Sequence, residues 1–94
     1  MNKKTEYTYP LDLEWSMDEM VKVTNFYAVV EQAYEEGIKA ENFLVKYQEF
    51  KTVIRSIAEE KRLGREFEKV SGYTIYKVVK KAQEIQKGRF KMEG

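Results

Sequence analysis

The spelling Ser-x-x-Glu occurs twice in this chain, as Ser16-Met-Asp-Glu19 and Ser56-Ile-Ala-Glu59, and it restricts the fold more than any other feature. In such a capping box the serine hydroxyl accepts the backbone N–H three residues on, while the glutamate reaches back to the serine N–H. Two donors orphaned at a helix start are thereby satisfied together. Each box opens a helix. Trp15 and Met20 flank the first box where a hydrophobic staple fixes the entry angle. Beyond it Met20, Val23, Phe26, Tyr27, Val30, Ala33 and Tyr34 share one broad face at 3.6-residue spacing. Gly37 closes this helix as a left-handed cap.

The same logic places three further helices. Ala40, Phe43, Leu44, Tyr47, Phe50 and Ile54 form a tight apolar stripe, and the opposite face is polar apart from Val45. After the second box comes a highly charged helix with a narrow stripe of Leu63, Phe67 and Val70. Gly64, beside that stripe, costs about 1 kcal/mol against alanine in a helix, and the spacing predicts a close approach by a neighbouring helix there. Gly72 ends this helix, Thr74 caps the next, and Tyr73 stands where it would staple onto Val78. Ile75, Val78, Val79, Ala82 and Ile85 line the inner face of the fourth helix, and Gly88 ends it. Pro10 disfavours helix at the residue before it, so residues 1–14 read as an extended arm whose Tyr7, Tyr9, Leu11 and Leu13 lie one-sidedly on the core. Residues 88–94 read as a short frayed tail. The expectation is an all-α fold: residues 1–94 form a single compact four-helix domain, a bundle or an irregular array, with a short extended N-terminal arm. Its helices lie at about 17–36, 40–54, 57–71 and 75–87, joined by connections of two to four residues that favour antiparallel neighbours or sharp corners.

Composition then narrows the chemistry. The chain holds no histidine and no cysteine, which removes the commonest general base, the commonest metal ligand and the best thiol nucleophile. Adjacent acids such as Glu35-Glu36 and Glu59-Glu60 point about 100° apart on a helix and do not chelate as pairs. Neither catalytic residues, a metal site nor a cofactor is expected. Apolar runs stay far short of the roughly 20 residues of a membrane span, and the opening residues carry no apolar segment behind their lysines, unlike a secretory signal. A cytoplasmic protein is expected, with no membrane partner.

Charge is unevenly spread although the net value is only +1. Residues 1–36 hold three lysines against eight acids, whereas residues 73–94 hold six bases against two acids. An acidic first helix and a basic fourth helix are able to neighbour each other within one molecule or to pair head to tail between two, and both arrangements stay open. The candidate interaction surface is the outer face of helix four, with Tyr73, Tyr76, Lys77, Lys80, Lys81 and Lys87. Aromatics beside lysines are what interface hot spots use. The function expected is that of a small non-catalytic interaction module with a protein partner, itself a monomer or weak homodimer. The alternative is nucleic-acid binding: a helix, a Gly-containing turn and a basic second helix resemble a helix-turn-helix. Gln83 is its best base reader, with little company, and the sequence pI of about 7.8 falls short of a dedicated binder's basic footprint.

One further set of residues carries a resemblance. Tyr9-Pro10-Leu11-Asp12, Trp15-Ser16 with Glu19, Val30-Glu31 with Ala33-Tyr34-Glu35, and Ala58-Glu59-Glu60-Lys61 occur in order. Glu66-Phe67-Glu68 and Val70-Ser71-Gly72-Tyr73 with Tyr76 and Val79-Lys80 follow. From Tyr7 to Gly88 the chain resembles the YktA-like family of uncharacterised small proteins from Gram-positive bacteria of the Firmicutes type. Arg55 departs from that pattern, which often has proline before the second box, and only the rigidity of that turn is affected. The resemblance implies a compact, cytoplasmic, all-helical domain and brings no catalytic residues.

Overall fold

The computed structural model describes residues 9–93. Four helices make the domain: α1 (Met17–Glu35), α2 (Ala40–Val53), α3 (Ile57–Ser71) and α4 (Ile75–Ile85). Two dipeptide strands, β1 (Ile38–Lys39) and β2 (Arg89–Phe90), pair antiparallel with Ile38 opposite Phe90. The protein is all-α with this one small addition. Residues 1–8, which include Tyr7 of the arm, lie outside the described residues.

The helix starts follow the capping chemistry unevenly. At α1 the box is complete: Ser16 Oγ accepts from the Glu19 N–H at 3.1 Å, and Glu19 Oε1 accepts from the Ser16 N–H at 2.9 Å. At α3 only the serine half forms, with Ser56 Oγ accepting from the Glu59 N–H at 3.0 Å. The Glu59 carboxylate faces Arg62 instead, at 3.8 Å. Thr74 stands at the N-cap of α4 but its side chain makes no capping bond. The Tyr34 hydroxyl takes over, accepting from the Thr74 N–H at 3.2 Å and donating to its carbonyl at 3.4 Å. Tyr73 turns the same way. Its ring stacks on Tyr34 at 4.4 Å and 7°, its hydroxyl donates to Glu35 at 2.8 Å, and it packs against the buried core as well.

The core centres on α1 and α2, with Val23, Phe26, Tyr27, Val30, Phe43 and Phe50 fully buried, and α4 adds Ile75, Val78, Val79 and Ala82. Phe26 stacks on Phe50 at 4.3 Å, and Tyr27 on Phe67 of α3 at 4.8 Å. Of α3, only Leu63 and Phe67 are buried, and Val70 is half out of the core. In the arm, Tyr9 packs on Tyr27 at 5.1 Å and donates to Glu31, and the Tyr27 hydroxyl donates to the Pro10 carbonyl. Leu11 and Leu13 do not follow Tyr9 inward. Leu13, in the turn before α1, is 92% exposed.

The C-terminal segment corrects the frayed-tail expectation. Gly88 takes φ +100° and turns the chain back, after which Phe90 is buried beside Ile38. The segment also serves two helix ends at once. The Met92 N–H donates to the Ala33 carbonyl at 2.8 Å and Arg89 Nη2 to the Glu36 carbonyl at 3.0 Å, at the C-terminus of α1. The Gly88 carbonyl accepts the Ala40 N–H at 2.8 Å, and Glu41 accepts the Gly88 N–H at 2.9 Å, at the start of α2. That explains why Lys39, the N-cap of α2, needs no capping side chain. Gly37 completes the joint: at φ +93° it occupies the left-handed region, and a Cβ there would stand 3.0 Å from the Phe90 carbonyl oxygen.

Candidate functional site

A groove runs between α3 and α4, with the C-terminal half of α2 at one end. Its volume is about 460 Å³, within the range of small-ligand clefts. One stripe of α3 lines it, through Ile57, Glu60, Gly64 and Glu68 at helical spacing, with Lys61 and Arg65 beside them. From α4 come Ile75, Tyr76, Val79 and Gln83, and from α2 Tyr47 and Lys51. Beyond Tyr76 and Val79 the groove passes into a shallower depression lined by Lys80 and Glu84. Ile57 and Tyr76 are each 69% exposed, so two large apolar side chains stand open on one groove.

Gly64 explains part of this shape. No atom lies within 4 Å of where its Cβ would be, so the expected close helix contact at Gly64 is absent and the missing side chain widens the groove instead. The polar end of the groove is fixed by a small network. The Tyr47 hydroxyl donates to Glu60 Oε2 at 2.9 Å, Lys51 Nζ to Glu60 Oε1 at 3.2 Å, and Lys51 stands over the Tyr47 ring at 5.4 Å. Burial, and then the hydrogen bond to Glu60, push the Tyr47 phenol up from its ordinary value, and the Glu60 bond likewise pushes the Lys51 ammonium up. At neutral pH the phenol keeps its proton and the ammonium its charge. Both shifts run opposite to those that activate a nucleophile or a general base. A single carboxylate bridges the pair.

The sequence-selected surface divides. Tyr76, Lys77, Lys80, Lys81 and Lys87 are exposed, whereas Tyr73 is half-buried against Tyr34. Tyr76 is the member that also belongs to the groove. Glu84 sits among the outward lysines, three and four residues from Lys81 and Lys80, and interrupts a phosphate-tracking face. Gln83 lines both the groove and the depression that holds Lys80 and Glu84. Sequence reasoning missed Ile57, Gly64, Lys61 and Arg65 as site residues. A signal existed: Ile57 lies off the Leu63–Phe67 stripe, and an apolar side chain off the stripe of a charged helix has no core to enter. Among the described residues no group of three or more acids is placed to hold a metal ion, and no helix is long and apolar enough to cross a membrane.

These features define a class, a small all-helical domain with an open apolar groove ringed by charge. Residues 6–91 match the Uncharacterised protein family (UPF0223). A UPF0223 protein of Enterococcus faecalis is 53% identical over 87 residues, covering 93% of this chain and 95% of the relative. One from Streptococcus pneumoniae is 50% identical over 92 residues and covers 98% of both. The chain belongs to the UPF0223 family. Its relatives come from the Gram-positive bacteria to which the resemblance pointed, although neither match carries the narrower YktA-like label.

Proposed function

We propose that this protein is a small non-catalytic interaction module of the cytoplasm, which works by offering the α3–α4 groove to an apolar segment of another protein. The observation that carries the reading is the pair Ile57 and Tyr76, two large apolar side chains left exposed on one groove. Burying such side chains in a partner contributes roughly 25 cal/mol for each Å² of apolar surface removed from water, and hot spots concentrate on aromatic anchors of this kind. The absence of histidine and cysteine, together with the upward-shifted Tyr47 and Lys51, supports a role without catalysis. Lysines of the α4 outer face, chiefly Lys80, would steer an acidic partner to the groove more than hold it there.

The test is capture from native lysate by the full chain, with and without nuclease, comparing wild type with Ile57→Ser/Tyr76→Ser and with Lys77→Glu/Lys80→Glu/Lys81→Glu. The expected result is a defined protein retained after nuclease, lost with the groove variant and only weakened by the lysine variant. Retention that disappears with nuclease and falls steeply between about 50 and 200 mM salt would instead establish phosphate binding by α4 and overturn the groove reading.

A further inference from the structure

The outward face of α1 is as unusual as the groove. Met17, Val21, Asn25, Ala28 and Gln32 are all exposed and succeed one another at steps of three and four residues, so they form one stripe along the helix. The stripe carries no charge over four turns, in a chain of which 35% is charged. Its N-terminal half is apolar, with Met17 and Val21 at 78% and 48% exposure, and Leu13 in the turn before the helix is 92% exposed. Acids flank that half: Glu14 is exposed, and Asp18 is exposed with only a 3.7 Å contact to Lys22. The α3 wall of the groove carries both signs, with exposed Glu68 and the paired Glu60 on its lining, and two bases stand together on it. Lys61 and Arg65 are exposed one turn apart on α3, and neither enters a salt bridge among the described residues. The salt bridges of the described residues run within α1, α2 and α3 or from α2 to α3, so the charge asymmetry of the chain is not spent on a link between α1 and α4.

We infer that the groove is occupied by the α1 stripe of a second copy of this chain. This rests on the groove reading above and names its occupant. The contact is a helix laid in an apolar groove, read through anchors at i and i+4: Met17 and Val21 enter between Ile57 and Tyr76, and Glu14 and Asp18 meet Lys61 and Arg65. Each molecule carries both halves on different surfaces, so the two patches are complementary to each other and neither is complementary to itself. That property gives a test which a like-to-like contact fails.

Two full-length variants are made, Met17→Ser/Val21→Ser with an intact groove and Ile57→Ser/Tyr76→Ser with an intact stripe. All four positions are exposed, and far-UV circular dichroism with thermal melting checks that both variants fold like the wild type. Sedimentation velocity is then recorded from micromolar to millimolar concentration. Wild type is expected to shift from single chains to larger species as concentration rises. Each variant alone is expected to stay single, with its dissociation constant raised about tenfold or more for each anchor removed. An equimolar mixture of the two is expected to restore a two-chain species, because the stripe of one still fits the groove of the other. Wild type that remains single throughout, a lone variant that still assembles, or a mixture that fails to recover would each overturn the second-copy assignment. The groove reading fails separately: it falls if the Ile57/Tyr76 variant retains every partner in the capture test, and it survives the loss of self-association if that variant alone loses one.

Discussion

Replacing Phe90 by alanine tests whether the C-terminal segment belongs to the folded domain. Phe90 is 7% exposed, paired with Ile38, and followed by the Met92 N–H that serves the Ala33 carbonyl. Large-to-small changes of buried phenylalanines cost about 3–5 kcal/mol. Phe90 lies at the edge of the core, where the site can partly collapse, which places the loss near 3 kcal/mol. A domain of this length has a total stability of about 5–14 kcal/mol, so the change removes a large part of it. For domains of 60–100 residues each kcal/mol moves the Tm by about 4–8 °C, and the expected drop is therefore about 12–24 °C. The assay is thermal and urea unfolding followed by far-UV circular dichroism, with exposed Lys91→Ala as a control that should stay within about 0.5 kcal/mol. Truncation after Lys87 is expected to cost more than Phe90→Ala, since it also strips the partners of the Ala40 N–H and of the Ala33 and Glu36 carbonyls. A Phe90→Ala melt within about 3 °C of wild type would match a loss under 0.5 kcal/mol. That result would refute the docked segment and restore the frayed tail.

Three other perturbations have defined outcomes. Gly64→Ala is expected to raise stability by about 1 kcal/mol, because the added methyl meets nothing within 4 Å and the helix loses its costliest residue; urea unfolding measures the gain, and an unchanged or lower midpoint would contradict the open groove wall. Gly37→Ala is expected to lower stability by about 1–2 kcal/mol in the same measurement, since φ +93° and the nearby Phe90 carbonyl both oppose a Cβ. Tyr73 makes stability depend on pH in the alkaline range: burial, and then the hydrogen bond to Glu35, push its phenol up to about 12 from an ordinary 10.0. Below pH 10 both states keep the proton; between 10 and 12 the unfolded chain releases it while the folded chain holds it, so stability falls across that window. Tyr73→Phe should make the fall shallower, the remainder coming from the buried phenols of Tyr27 and Tyr47, which are also pushed up, as read by urea midpoints at pH 9, 10 and 11.

The four helices were legible because their signals are local. Ser16 and Ser56 spell their own caps, Gly72 takes φ +81° at the end of α3, and most of the expected apolar stripes of α1 and α2 become the core, with Met20, Tyr34 and Leu44 only half-buried. What stayed illegible depends on neighbours that are distant in sequence. Nothing near Gly88 shows that its carbonyl closes the start of α2, 48 residues away in the chain, or that Phe90 has a strand partner at Ile38, because a two-residue strand is too short to leave an alternating pattern. Tyr73 has the local spelling of a staple, but its stacking on Tyr34 and its bond to Glu35 join it to a distant helix and leave no local signal. The candidate surface was half legible for the same reason. Exposure of Tyr76 and the lysines follows from helix phase alone, whereas the groove exists only once α3 and α4 are placed around Tyr47.

The residues that local rules place badly are not scattered. Gly64 weakens α3, and Ile57 and Tyr76 leave apolar surface in water; each choice works against stability or solubility when considered alone, and all three meet in one groove. Met17 and Val21 break the same rule along one stripe of α1, and Leu13 does so in the turn before it. Positions where local consistency fails are expected to concentrate where a protein binds or acts, and a domain of this size has little stability to spare for such choices. Two clusters of misplaced apolar residues, one flanked by acids and the other beside Lys61 and Arg65, which enter no salt bridge among the described residues, are therefore better explained together than separately. A partner that covers only the groove leaves the α1 stripe without a reason, whereas a second copy of the chain accounts for both patches and for the opposite charges beside them.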